Sequence, residues 1–226
     1  MLSLTKVAIT LNGTWLDPTT GNKSEVGRYV IHKIFGSPNT SRSRLKLRVL
    51  CIDGMSLKSA GVLLPTVLPL ENLEHLHLFR CKFTGRLYEG LTELKLRLKS
   101  FRDQRANNKP SSGIVDSFLA SLRSLRNLRL SINGRYSIDY EPCDWPSLLL
   151  HAHELRSLDL DDYKPGPGGV LFVDTRRSLS GFQAFCDRAS QLQQLSTRSP
   201  GLEATHQNLP HGLNAFLVRF ECRSSY

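Results

Sequence analysis

Cysteine is sparse in this chain and poorly arranged for a covalent or metal-held scaffold. The five residues Cys51, Cys81, Cys143, Cys186 and Cys222 are odd in number, widely separated and never in a CxxC spacing. That pattern argues against both a disulfide framework and a zinc finger, so the expected setting is reducing and intracellular, cytoplasmic or nuclear. Long apolar runs are missing too, since no stretch approaches the roughly 18 residues that a membrane helix needs. The opening MLSLTKVAITLNGTWL alternates apolar with polar residues and lacks a small-residue cleavage site, so neither a signal peptide nor membrane association is expected. Acids are in deficit, with 20 Asp and Glu against 30 Lys and Arg, a formal charge of +10. An excess of that size fits an anionic partner or simply a soluble surface, and its distribution has to separate the two.

Catalytic and cofactor signatures are equally scarce. No Ser or Cys sits in a nucleophile-elbow setting, and no His and carboxylate pair can be placed together from the pattern, so no enzyme and no cofactor is expected. His75-x-His77 and His151-x-His153 have strand spacing for a shared face, but the further ligands of a zinc site are absent. Asp159, Asp161 and Asp162 lack the glycine and closing Glu of a calcium loop. The stretch YKPGPGGVLFVD is rich in Gly and Pro, yet it has no Lys-Ser/Thr for a nucleotide phosphate and reads as an insertion between repeats.

What the chain does have is a repeat. The pattern LxxLxL recurs as LRVLCI, LEHLHL, the degenerate LKSFRD, LRNLRL and LRSLDL, with fainter copies LQQLST and LNAFLV. Their first leucines, at 47, 73, 98, 125, 155, 192 and 213, are spaced by 26, 25, 27, 30, 37 and 21 residues. Such periods belong to solenoid architectures. A competing register, LTELKL from Leu91, gives steps of 18 and 34 and is placed on the helical side of its repeat. A short strand sends alternate side chains to opposite faces, burying the leucines and exposing the residues between. At the following bend LEHLHLFRCKF offers Cys81 and then Phe83, LRNLRLSINGR offers Asn133, and LRVLCIDGMSL offers Met55 and then Leu57.

Helical spacing fills the intervals. Residues 113–126 align Ile114, Phe118, Leu122 and Leu125, with Val115 and Leu119 beside them. Residues 180–195 align Phe182, Phe185, Cys186, Ala189 and Leu192, with Ser180 and Gln183 predicted as a capping box. Pro65, Pro69, Pro142 and Pro146 are expected to interrupt or start shorter helices. Residues 1–40 read as a strand KVAITL, a polar turn and a helix VGRYVIHKIF.

These repeats, their irregular lengths and turns such as FRCKF resemble the leucine-rich-repeat regions of fungal F-box and F-box-like proteins, over roughly residues 45–200. The resemblance implies an α/β leucine-rich-repeat solenoid of about five to seven units, in which short parallel strands alternate with helices. It divides the chain into an N-terminal cap or linker at 1–44, the array at 45–200 and a C-terminal cap or tail at 201–226. It also implies a protein-protein interaction module serving as the substrate-receptor part of an F-box-type ubiquitin ligase. Residues 1–40 carry no LPxE-like F-box opening, so only the partner-binding half of that role carries over, and a cullin-ligase adaptor is a conditional partner.

Partner binding in such solenoids falls on the concave strand face. The register assigns to it Val49, Cys51 and Asp53; His75, His77 and Phe79; Ser100, Arg102 and Gln104; Asn127, Arg129 and Ser131; Ser157, Asp159 and Asp161. Of these Asp53, His75, His77, Phe79, Arg102, Gln104, Asn127, Arg129, Asp159 and Asp161 are the candidate contacts, a mixed row better suited to a protein than to a phosphate backbone. The alternative is nucleic-acid binding through two basic runs. One is Arg42, Arg44, Lys46 and Arg48, expected on an edge strand; the other is Lys95, Arg97, Lys99, Arg102 and Arg105, with Phe101 the one aromatic available for stacking.

Overall fold

A computed structural model describes residues 5–10, 26–35, 46–106, 112–133, 143–161, 175–197 and 217–219. Eight strands form a single sheet in chain order, every neighbouring pair parallel. They are β1 (Lys6–Thr10), β2 (Val49–Asp53), β3 (His75–Cys81), β4 (Ser100–Ala106), β5 (Asn127–Asn133), β6 (Ser157–Asp161), β7 (Gln194–Thr197) and β8 (Leu217–Arg219). Helices intervene: α1 (Val26–Phe35), α2 (Ala60–Val67), α3 (Gly85–Thr92), α4 (Ser112–Ser121), α5 (Trp145–Leu149) and α6 (Thr175–Arg188). Each packs on the next in sequence, which makes the arrangement solenoid-like. Among the described residues no helix is long and apolar enough to cross a membrane.

The register explains the periodicity. Leu50, Leu76, Phe101, Leu128, Leu158 and Leu195 stand on one continuous line of paired residues and are all buried. The first leucines Leu47, Leu73, Leu98, Leu125, Leu155 and Leu192 are buried two residues before their strands. Leu91 and Leu96 belong to the α3 side. At the bend, Cys81 is buried and its Sγ donates to the carbonyls of Ile52 and Phe79, both at 3.4 Å. A small polarizable group fits there because it reaches carbonyls that the turn leaves open. Burial pushes this thiol up to about 12. Cys51, Cys81, Cys143 and Cys186 are all free thiols.

Several sequence expectations need correction. The strand of the last repeat begins at Leu217, paired with Gln194, which is four residues after Leu213 instead of two; Leu213 itself lies outside the described residues. Phe83 does not close its turn inward; it lies 48% exposed with φ 57°, and the adjacent buried residue is Thr84. Ser180 does not cap a helix, because α6 has already begun at Thr175 and Gln183 donates forward to Asp187 at 2.9 Å. The α4 stripe is Val115, Phe118, Leu119 and Leu122, with Ile114 only partly buried. The basic run ending at Arg48 is not on an edge strand, since β1 covers β2. Pro65 sits inside α2, Pro69 precedes a 3-10 turn at Leu70–Asn72, and Pro146 lies in the first turn of α5, where its missing N–H costs nothing. The side chain of Asn133, Pro142, the stretch at 163–174, Arg42 and Arg44 lie outside the described residues.

The centre of the core is aromatic. Tyr88 stacks on Phe118 at 5.0 Å, and Phe101 meets both rings edge-on at 5.9 and 5.2 Å. Phe101 is thus a core residue, unavailable for base stacking. Gly61 lets α2 approach α3, since a Cβ there would lie 2.9 Å from the Leu87 nitrogen. Asp103 is the anomaly, for it occupies the line held by Ile52, Leu78 and Leu130 and is buried. The Tyr88 hydroxyl donates to its carboxylate, which explains why the degenerate LKSFRD repeat tolerates an acid. Removing one partner of a buried pair costs more than removing both. Tyr88→Phe should therefore destabilise the fold by about 1–3 kcal/mol, and Tyr88→Phe with Asp103→Leu should regain most of that loss in urea unfolding. A double variant no more stable than the single one contradicts this account.

Candidate functional site

Among the described residues, helices cover one side of the sheet and leave the other open, and the open side carries the residues between the leucines. Val49, His75, Ser100, Asn127 and Ser157 form one row across β2 to β6, and Cys51, His77, Arg102, Arg129 and Asp159 form the next. Asp53, Phe79, Gln104, Ser131 and Asp161 form a third. All ten candidate contacts fall on these rows. The side chain of Asp161 lies outside the described residues.

The structure brings four of the ten into one cluster and two more, Arg129 and Asp159, into an ion pair. His77 meets His75 and Phe79 edge-on, with ring centroids 6.4 and 6.2 Å away. The Arg102 guanidinium stands 6.0 Å from the centroid of Phe79, within the range of a cation–π contact. His77 Nδ1 lies 3.7 Å from Cys51 Sγ, and its Nε2 lies 3.4 Å from Ser100 Oγ. These contacts half-bury the imidazole. Burial, followed by the charges of Arg102, His75 and Lys6, holds its pKa below the ordinary 6.5. Burial also raises the Cys51 thiol, so Cys51 and His77 meet as neutral groups, not as a thiolate–imidazolium pair.

Two acids of the open face, Asp53 and Asp159, are already committed. Asp53 receives Arg80 through two bonds, at 2.8 Å from Nε and 2.6 Å from Nη2. Arg80 reaches it from a left-handed residue (φ 49°) beside the irregularity that ends regular β3 to β4 pairing. Asp159 pairs with Arg129 at 3.1 Å. Exposed pairs of this kind contribute about 0–1 kcal/mol each, but they decide which charges a partner meets. Arg102 has no carboxylate of this kind beside it among the described residues. Gln104 borders Phe79 on the neighbouring strand, and Asn127 is exposed at the start of β5.

Among the described residues the two basic runs meet at one point, the carboxylate of Glu74, and the second run is then divided between the open face and a turn. Arg48 and Lys99 converge on Glu74, at 2.7 and 3.0 Å, and hold its carboxyl down at about 2, the Arg48 hydrogen bond first among the causes. Arg102 lies on the open face, whereas Lys95 and Arg97 are exposed in the turn before β4. The side chain of Arg105 lies outside the described residues.

The histidine pairs part company in the same way. His75 and His77 share the open face, but His151 is buried and donates from Nε2 to the Leu119 carbonyl at 2.8 Å, while His153 is exposed. Among the described residues no group of three or more His, Cys, Asp and Glu is placed to hold a metal ion. The residues just after the first leucines are Arg48, Glu74, Lys99, Arg126 and Arg156; sequence reasoning named Arg48 and Lys99 only as members of the basic runs and missed Glu74, Arg126 and Arg156. Stacking the repeats in register exposes this column. Comparison with models of known families, with curated proteins and with solved structures found no match, so function has to be argued from these side chains.

The histidines make stability depend on pH. Burial lowers the pKa of His151, as it does that of His77, below 6.5. Just below that value the unfolded chain binds more protons than the folded one, so stability rises with pH there. This contribution is complete above 6.5, is lost as the pH falls toward the folded-state values, and is then level. The urea midpoint should therefore drop between pH 7.5 and 5.5, and His151→Gln should flatten the drop while lowering stability throughout. An unchanged slope in that variant assigns the effect elsewhere.

Proposed function

We propose that this chain is a leucine-rich-repeat module that binds a protein partner on its open sheet face, in the manner of the receptor part of an F-box-type ubiquitin ligase. The observation that carries the reading is the cluster of His77, Phe79 and Arg102 at the middle of that face. It joins an imidazole whose protonation burial disfavours, a half-buried ring and a cation with no acid beside it among the described residues. Aromatic and arginine side chains in such settings dominate protein interfaces. The flanking Asp53 and Asp159 are neutralised within the sheet, so a partner meets polar but largely uncharged surroundings there. A solenoid offers exactly one such continuous face, because each repeat contributes one strand to it.

Two features weigh against a nucleic acid on this face: Phe101 is buried, and the basic runs are divided between the face and the turns. The reading also needs no catalytic residue. Ligase membership is a separate consequence, checked by whether the cullin adaptor accompanies the client.

The tagged chain should capture the same protein partners from its native cells before and after nuclease treatment. Phe79→Ala and Arg102→Ala should each weaken the recovered complex by about 2 kcal/mol or more, the range of interface hot spots. Val62→Ser, on the exposed surface of α2, should leave it intact. Equal binding by all three variants removes the open face as the site, and partners lost on nuclease treatment favour the nucleic-acid alternative.

A further inference from the structure

The residue that precedes each central strand has a backbone ladder of its own. The amide of Glu74 donates to the carbonyl of Arg48 at 2.9 Å, that of Lys99 to Glu74 at 2.8 Å and that of Arg126 to Lys99 at 3.0 Å. Arg156 continues to Arg126 at 2.7 Å, and Gln193 to Arg156 at 2.8 Å. Their side chains thus leave the sheet margin from adjacent rungs, about 4.8 Å apart.

The two ends of this column differ in their charge balance. At one end Glu74 lies between two cations and bonds to both, through Arg48 Nη2 at 2.7 Å and Lys99 Nζ at 3.0 Å. At the other, Arg126 and Arg156 are consecutive, both exposed, with no acid between them. Among the described residues neither has an ion-pair partner, and nearby Glu154 faces His153 at 3.7 Å. Exposed Arg97 and Arg123 add charge in the turns leading to β4 and β5. Like charges on adjacent rungs repel. Glu74 shows within the same chain what relieves such a column: a carboxylate reached from both sides.

We propose that Arg126 and Arg156, flanked by Lys99 and Arg123, form a docking row for an acidic peptide segment whose carboxylates take positions equivalent to that of Glu74. The proposal rests on the reading that the chain binds a protein, and it adds the chemistry of the segment that lies along the sheet margin. An extended peptide projects alternate side chains about 6.6–6.8 Å apart on one side, short enough for successive carboxylates to reach neighbouring rungs. Single-stranded nucleic acid is the poorer fit, because it relies on aromatic platforms for its bases and no residue of this column is aromatic.

The test is fluorescence anisotropy of the full chain with a labelled hexaglutamate peptide and, separately, a labelled oligouridylate, at low and at moderate salt. Arg126→Glu and Arg156→Glu should each weaken hexaglutamate binding roughly tenfold, while Arg86→Glu on the exposed face of α3, which changes the net charge equally, should leave it nearly unchanged. Circular dichroism confirms that each variant is folded. Equal weakening by Arg86→Glu means diffuse attraction and overturns the proposal, as does the absence of hexaglutamate binding. Oligouridylate bound more tightly than hexaglutamate through the same arginines overturns it in favour of nucleic acid. Partner capture that still depends on Phe79 and Arg102 in any of these cases leaves the open-face reading standing.

Discussion

Parallel backbone pairing between strands a repeat apart is the constraint on which everything else in this molecule depends. Once Leu50 is opposite Leu76, and Leu76 opposite Phe101, the residues of each strand on that line and two further on face the helices, and those between them, Phe79 included, face the other side. A slip of one residue would exchange the two faces. The leucines therefore do two jobs with one pattern: they build the core, and by their phase they decide which side chains remain available for recognition. The helices then close the core one against the next.

Because the constraint is a register, it was readable where the leucines are well spaced and lost where they are not. The first leucines from Leu47 to Leu192 located six strands, and alternation gave the rows of residues that pair between them, although Ser131 in one of those rows is buried. Failure set in where apolar residues crowd. LNAFLV offers several choices of phase, and only the pairing of Gln194 with Leu217 selects among them. Phe83 matched the consensus by position, but its left-handed backbone turned it outward. The predicted cap at Ser180 failed for a different reason: a capping box can occur by chance inside a helix, and nothing local to it reveals the extra turns starting at Thr175.

Pair formation was the least readable level. An Asp within a core line looks like a broken repeat until Tyr88, fifteen residues away on α3, is seen to donate to it. Asp53 and Asp159 looked like contacts awaiting a partner, yet Arg80 and Arg129 already hold them. The run ending in Arg48 looked like an edge because the strand covering it, β1, is separated from it by nearly forty residues of sequence, roughly the reach of one long repeat. Each of these depends on residues brought together by the sheet, and no local pattern contains them.

The net charge acquires a meaning only at this level. An excess of ten cations spread evenly would speak for solubility alone, but the sheet sorts it. Across the open face, acids on neighbouring strands hold Arg80 and Arg129, whereas Arg102 beside Phe79 has no such acid among the described residues. Along the margin, one carboxylate bridges Arg48 and Lys99, and among the described residues none does so at Arg126 and Arg156. A ligand that satisfied both regions would need an apolar or aromatic group for the face and acids spaced to follow the margin. A protein segment can combine those two chemistries in one chain, since its side chains vary residue by residue, whereas a phosphate backbone repeats one charge at every step. That difference, more than the size of the charge, is what supports the proposal of a protein partner over a nucleic acid.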